Sequence, residues 1–445
     1  MIERRIVSPQ VVLVGLALFS LYYLIRDLPG GQMMVLGYLT GVILLALILV
    51  GYEKWCFPLL MMTFFWAGLN VPLNERGQVF RWAVLGLATS VGIIVWLFKG
   101  KRLKFGAFHI FTAITVLVFL SSTMGSVNPS MTFLKVSTLA LLFSYASIGV
   151  RLSYRNKEGV FLKGLKLCCE ATVYISAFFY NVLHHPLYGN PNSLGAVMGV
   201  VVCPILVWSV VTERTGARIA RTGLALALCG VLLYQSFARA SFVSAVVSGS
   251  IVLLVTYRHR VLWFSAISIT AAVMIGFISF SDYWKAPVKR MMYKGEESEM
   301  FQARRGTWKE SIKMSGKNLI FGVGFGTAEG FSEGWRGGFS SSLNVRERGS
   351  SYLSVLEGVG ITGCIPFAIL LVLLLRRIWL VYHRLRRVRN PADPSLPMIA
   401  IVSGGLCHAL FEDWLMAVGY YLCVFFWVLV FLLVDREDRL TVFRR

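Results

Sequence analysis

The stretch Ser351-Tyr-Leu-Ser-Val-Leu-Glu-Gly-Val-Gly-Ile-Thr-Gly363 follows directly on a long polar segment, Ser281–Ser351, and this junction decides how the chain is read. Upstream, the sequence is a succession of apolar runs broken by short loops. Downstream come further apolar runs and a basic tail. The runs long enough to span a bilayer number about fourteen. The later ones include Gly223–Phe237, Phe242–Val255, Val261–Phe280, Ser351–Leu375, Met398–Leu415 and Val418–Leu433. The expected fold is an all-α polytopic integral membrane protein with one large extramembrane loop. Residues 1–280 form its first eleven helices, 281–350 the loop, and 351–445 the last three helices and a basic tail.

Composition points the same way. Of the 445 residues, 56% are hydrophobic and 15% charged, and the mean hydropathy is +0.68. A soluble chain would carry roughly a quarter charged residues. The run after Met1-Ile-Glu-Arg-Arg5 lacks a small-residue cleavage site and reads as the first transmembrane helix. The net charge of +22 does not indicate nucleic acid, because the cations occupy alternate short loops. Lys99–Lys104, Arg151–Lys166, Glu213–Arg221, Arg258–Arg260 and Arg376–Arg389 are basic, whereas Ser121–Ser130 and His184–Asn192 carry no Lys or Arg. The positive-inside rule then places both termini in the cytoplasm and Ser281–Ser351 outside. The eight cysteines lie in or beside apolar runs without CxxC spacing and read as small core residues.

An active site on the outer face works without ATP or nucleotide sugars, so a synthetic reaction there needs a donor activated beforehand, such as a lipid-linked diphosphate. Arg239, in the turn Ser236-Phe-Ala-Arg-Ala-Ser241, is the most informative single residue. A guanidinium between two apolar helices is costly without an anion and pairs bidentately with phosphate. Arg304-Arg305 opens a short loop helix, Arg304–Met314, with Trp308 and Ile312 on one face. Together with Arg239 this pair can clamp a diphosphate and stabilise charge on the leaving group. Asp282, Glu296, Glu297 and Glu299 lack a metal-ligand spacing, so the expected chemistry is metal-free and uses no cofactor. Gly322-Val-Gly-Phe-Gly326 is followed by no Lys-Ser/Thr and reads as a flexible turn rather than a phosphate loop. Glu170, Lys135 and Glu357 are polar groups inside apolar runs, which makes each functional or paired. His408 and Glu412, spaced i, i+4 near a helix end, are expected to bond each other.

The Pro-Asn-Ser-Leu-Gly opening at 191–195, the Ala-Arg-Ala-Ser turn at 238–241, Arg304 with Trp308 and the following Gly-Val-Gly-Phe-Gly, and the stretch 351–363 occur in this order. As an ordered set, they resemble the O-antigen ligase/polymerase superfamily of bacterial membrane glycosyltransferases. The resemblance implies transfer of a glycan from an undecaprenyl-diphosphate carrier to an acceptor hydroxyl at the periplasmic face of the inner membrane. Two arginines would handle the diphosphate: Arg239, and Arg304 with Arg305 as its alternative. Membrane lipids and a chain-length regulator are the further partners implied. Asn192, Trp308, Ser350 and Tyr352 are the expected substrate-binding residues. Ligases of this family carry a histidine where this chain has Gly349, eleven residues before Gly360. That departure favours a polysaccharide polymerase over a ligase, with Glu357 first and then Glu347, His184 and His185 as candidate bases. A flippase for lipid-linked glycan is a third reading, disfavoured because no two-fold repeat of broken helices is evident. A periplasm-dependent reporter inserted after Trp335 should be active, and the same reporter after Arg445 silent; the reverse would invert the topology.

Overall fold

A computed structural model describes residues 50–71, 74–98, 103–256, 302–327 and 349–442. The runs Pro9–Ile25 and Val261–Phe280, most of Met33–Val50, and the loop residues Trp284, Tyr293, Trp335 and Glu347 lie outside them. The described helices are α1 (Cys56–Gly68), α2 (Asn74–Phe98), α3 (Ala107–Ser121), α4 (Pro129–Tyr154), α5 (Glu158–Asn181) and α6 (Pro191–Thr212). They continue as α7 (Gly216–Gln235), α8 (Arg239–Val255), α9 (Gln302–Ser315), α10 (Ser351–Val388), α11 (Ser395–His408) and α12 (Tyr421–Val442). Six helical stretches, in α2, α3 with the short 3-10 turn that extends it to Gly125, α4, α6, α7 and α10, are long and apolar enough to cross a membrane among the described residues. The all-helical membrane architecture is therefore as expected.

Local sequence explains several boundaries. Asn128 and Asn190 precede Pro129 and Pro191, and each asparagine side chain accepts an N–H from the first turn it caps. Asparagine supplies the missing acceptor, while proline loses nothing at a position whose N–H has no helical partner. Several expected loops shift: Arg151–Lys166 and Glu213–Arg221 fall largely within the ends of α4, α5 and α7. Arg376–Arg389 is not a loop but the end of α10, which runs 38 residues to Val388. At that length a straight helix would reach about 57 Å, well beyond a hydrocarbon core of roughly 30 Å, so its basic end projects into water. Asp435–Val442, read as part of the basic tail, instead continues α12.

α12 is the axle of the bundle. Its residues 421–434 are apolar on every side, and all are buried, as a helix without a polar face requires. Phe143 and Phe431 pack on it and within it edge to face around Trp427 and Phe108. Below this apolar length, at the end carrying the basic loops, a compensated charge network ties the helices together. Arg151, 1% exposed, donates to Asp435 at 2.8 Å, to the Lys104 carbonyl at 2.8 Å and to His109 Nε2 at 2.9 Å. Arg439 bridges Asp435 and Glu158, and Arg436 joins Glu158 to Asp393. Arg384 pairs with Glu437 at 2.8 Å. Glu170 is paired too: it accepts from Thr222 at 3.0 Å and bridges Arg221 at 3.0 Å. Nearby, the Lys166 ammonium holds the Glu213 carboxyl below the usual carboxylate range.

Removing one member of a buried pair strands the other charge. Arg151→Met should therefore destabilise the protein by about 3–5 kcal/mol, and the Arg151→Met/Asp435→Leu pair by clearly less than the sum of the single changes. Unfolding of the purified variants in detergent measures both.

Candidate active site

At the opposite end of the bundle the chain leaves helical geometry twice, and the candidate site is built from these two places. The first is 409–420, between α11 and α12. The apolar run Met398–Leu415 had suggested an unbroken span, but α11 stops at His408 and a buried turn follows. Irregular backbone at this depth must find its hydrogen bonds within the protein. It does so through donors from several helices. Ser351 N–H donates to Ala409 O at 2.9 Å and its hydroxyl to Glu412 O at 2.7 Å. Trp427 Nε1 donates to Leu415 O at 2.7 Å, and Arg81 to Gly419 O at 2.6 Å. The Ser351 hydroxyl also accepts the N–H groups of Trp414 and Leu415, both at 3.0 Å.

Of the predicted site residues, Arg304 bonds this turn directly, and Arg239 lies two residues from a side chain that bonds beside it. Arg304, on α9, forms an ion pair with Glu412. Arg239 is the first residue of α8 and is half-buried. Two residues on, the Ser241 hydroxyl lies 3.0 Å from His408 Nε2. His408 Nδ1 accepts Trp414 Nε1–H at 2.8 Å. That bond leaves the Nε2 of a neutral ring to carry the proton and donate to Ser241. His408 and Glu412 therefore do not bond each other as i, i+4 spacing suggested. The helix has already ended between them, so one side chain turns to α8 and the other to α9.

Asn192 is half-buried on the α6 opening. That opening packs so tightly on the Arg239 turn that a Cβ at Gly195 would collide with Ala238. Tyr421 donates its hydroxyl to Ser193 O at 3.1 Å, so the same opening also touches the start of α12. Arg305 is exposed, unlike its half-buried neighbour Arg304.

The second irregular place joins two glycine-rich motifs that look independent in the sequence. α10 breaks at Gly360, whose φ of 60° and ψ of −164° no L-residue adopts without strain. The break frees backbone groups, and 319–324 takes them. Val323 and Gly324 N–H donate to Glu357 and Gly358 carbonyls, both at 2.9 Å, and Ile361 N–H donates to Leu319 O at 2.9 Å. Val127 N–H reaches Val323 O at 3.1 Å, and Lys135 Nζ reaches Gly326 O at 2.6 Å. The turn expected at 322–326 is thus a docked segment held between α4 and α10. Glu357 lies at this junction with 0% exposure.

Gly349 closes the site from the α10 side. Its φ is +68°, and an added Cβ would sit 2.8 Å from Thr307 Oγ1 and 3.2 Å from an Arg304 guanidinium nitrogen. Its carbonyl accepts Trp308 Nε1–H at 3.0 Å. Ser350 is the buried N-cap residue of α10, and Tyr352 donates its hydroxyl to Leu406 O at 2.9 Å, tying α10 to α11. His184 and His185 are exposed on the loop between α5 and α6. Sequence reading missed Ser351 and Trp414, and took Glu412 only as a partner for His408. The available signal was Glu412-Asp-Trp414, a polar interruption between two apolar runs.

Residues 224–368 match the sequence model of the family described as O-antigen ligase. The matched segment contains Arg239, Arg304, Trp308, Gly349 and the Gly360 break, so the resemblance to the O-antigen ligase/polymerase superfamily is borne out there. No curated protein matches the chain. Because position 349 combines a left-handed backbone with close neighbours, Gly349→Ala should cost about 1–3 kcal/mol. Gly349→His should cost no less and yield less folded protein, measurable by size-exclusion yield and melting temperature.

Proposed function

We propose, from the O-antigen ligase family match over residues 224–368, that this membrane protein is a glycosyltransferase acting on lipid-linked glycans at the outer face of the bacterial inner membrane. Its donor is an undecaprenyl-diphosphate-linked repeat unit, and its product is a longer polysaccharide. The observation that carries this reading is that the Arg239 turn and Arg304 bond residues four apart, His408 at the end of α11 and Glu412 in the turn that follows. Arg239 and Arg304 hold the donor diphosphate, with the Glu412 carboxylate occupying Arg304 until an anion competes for it. An acceptor hydroxyl oxygen bonds to the anomeric carbon as the bond from that carbon to the diphosphate oxygen breaks. The arginines stabilise the negative charge that departs with the diphosphate, and the hydroxyl proton passes to water or to the leaving diphosphate.

Gly349 supports polymerisation over base-assisted ligation. Where ligases of the family carry histidine, the backbone conformation and the neighbours Thr307 and Arg304 exclude a side chain. Transfer of the finished glycan to a lipid or protein acceptor is the second reading, favoured by the description of the matched family.

A deletion strain separates these readings. Single repeat units in place of long surface chains mean a polymerase, long chains stalled on the carrier mean a ligase, and repeat units trapped on the inner leaflet would overturn both. Replacing Arg239 by Lys keeps the charge and removes the bidentate fork. Turnover of lipid-linked donor by the purified Arg239→Lys protein should fall about a hundredfold, and full activity would remove Arg239 from the site.

A further inference from the structure

Arg81 was given no role by its sequence context, yet it stands beside the same turn. It lies on α2 seven residues after Asn74, about 10 Å along the helix axis. One guanidinium N–H donates to Gly419 O at 2.6 Å. The guanidinium carbon lies 4.9 Å from the Trp82 ring centroid and 5.8 Å from that of Phe64. Its Nε is buried without a hydrogen-bond partner. Among the described residues no carboxylate pairs with it, in contrast to Arg151, Arg221, Arg304, Arg384, Arg436 and Arg439.

A carbonyl and two aromatic faces orient a guanidinium but do not neutralise it. A half-buried cation at membrane depth with an unsatisfied N–H is costly unless an anion completes it. Its location says which anion. Gly419, its acceptor, is followed by Tyr420 and Tyr421, whose hydroxyls lie 2.9 Å apart, and Tyr421 bonds Ser193 O at 3.1 Å. Ser193 belongs to the α6 opening that packs on the Arg239 turn through Gly195. Arg81 and the α6 opening therefore both bond the 419–421 segment, while Arg304 reaches the 409–420 turn from α9.

We propose that Arg81 is a further donor-binding residue, which takes the phosphate nearest the membrane in a polyprenyl-diphosphate carrier. This proposal rests on the donor assigned above. Phe64 and Trp82 hold the guanidinium plane, and the Gly419 carbonyl fixes one edge. The remaining terminal N–H groups of the guanidinium are left for the phosphate oxygens. Depth favours this division of labour, because the lipid-bonded phosphate lies lower in the membrane than the sugar-bonded one.

The test is binding of undecaprenyl diphosphate to the full-length protein in nanodiscs, with undecaprenol as the uncharged comparator. Wild type, Arg81→Gln, Arg81→Lys and Arg76→Gln are compared; Arg76 is exposed on the same helix. Arg81→Gln should bind the diphosphate lipid about tenfold more weakly, the loss expected for one charge-assisted hydrogen bond. Its affinity for undecaprenol should be unchanged, and Arg76→Gln should behave as wild type. Equal diphosphate affinity in wild type and folded Arg81→Gln overturns the proposal and leaves the donor assignment standing. An equal loss for undecaprenol also overturns it, since that marks a structural role. Where Arg81→Gln does not fold, Arg81→Lys decides by the same ratio of diphosphate to undecaprenol affinity. Failure of the wild type to bind the diphosphate lipid sinks the donor assignment, and this proposal with it.

Discussion

Backbone that is not helical cannot sit inside a membrane bundle unless each of its peptide groups finds a protein partner. The turn at 409–420 draws donors from helices far apart in sequence: Ser351 from α10, Trp427 from α12 and Arg81 from α2. Each of these bonds satisfies a carbonyl and at the same time fixes the position of a helix end. The site therefore depends on the turn more than on any one helix. Arg304, Ser241 and the α6 opening all meet residues in or beside it.

The interruption at Gly360 follows the same physics. A broken helix exposes carbonyls and N–H groups that hydrocarbon cannot satisfy, and the 319–324 segment supplies the complementary set. Neither half is stable alone at that depth. The Gly360 break needs a partner strand of backbone, and the Gly-Val-Gly-Phe-Gly segment needs something to bond. Their juxtaposition brings α9, which precedes that segment, onto the start of α10 and so sets Trp308 against Gly349.

The two ends of the molecule handle charge differently. At the basic end, four arginines interleave with Asp393, Asp435, Glu158 and Glu437. Such a network, buried and paired, holds the register of α4, α10 and α12. Beside the 409–420 turn, Arg304 has Glu412, whereas among the described residues Arg81 has a carbonyl and two aromatic rings in place of a carboxylate. A closed network suits a scaffold, and an open one suits a site that receives an anionic ligand.

Periodicity and hydropathy determined the all-helical membrane architecture, because the need to satisfy backbone inside lipid makes apolar runs of this length helical whatever surrounds them. Arg239 stood out in the sequence as a guanidinium between apolar helices, and Arg304 by its distance from Trp308 within the family resemblance. The length of α10, the early end of α11 and the pairing of His408 with Ser241 rather than Glu412 were not legible. Each depends on which distant group offers a hydrogen bond, and that is a property of the assembled bundle. The same holds for Gly349. In sequence it is a missing histidine, while in the structure it is a left-handed residue wedged against Thr307 and Arg304. Arg81 is the clearest case: one charge at the start of the apolar run Phe80–Phe98 until the tertiary structure lays it against Gly419. The sequence carried the elements and their charges, and only the packing of the bundle decided which of those charges share a site, because contacts at that range are set by three-dimensional proximity and not by spacing along the chain.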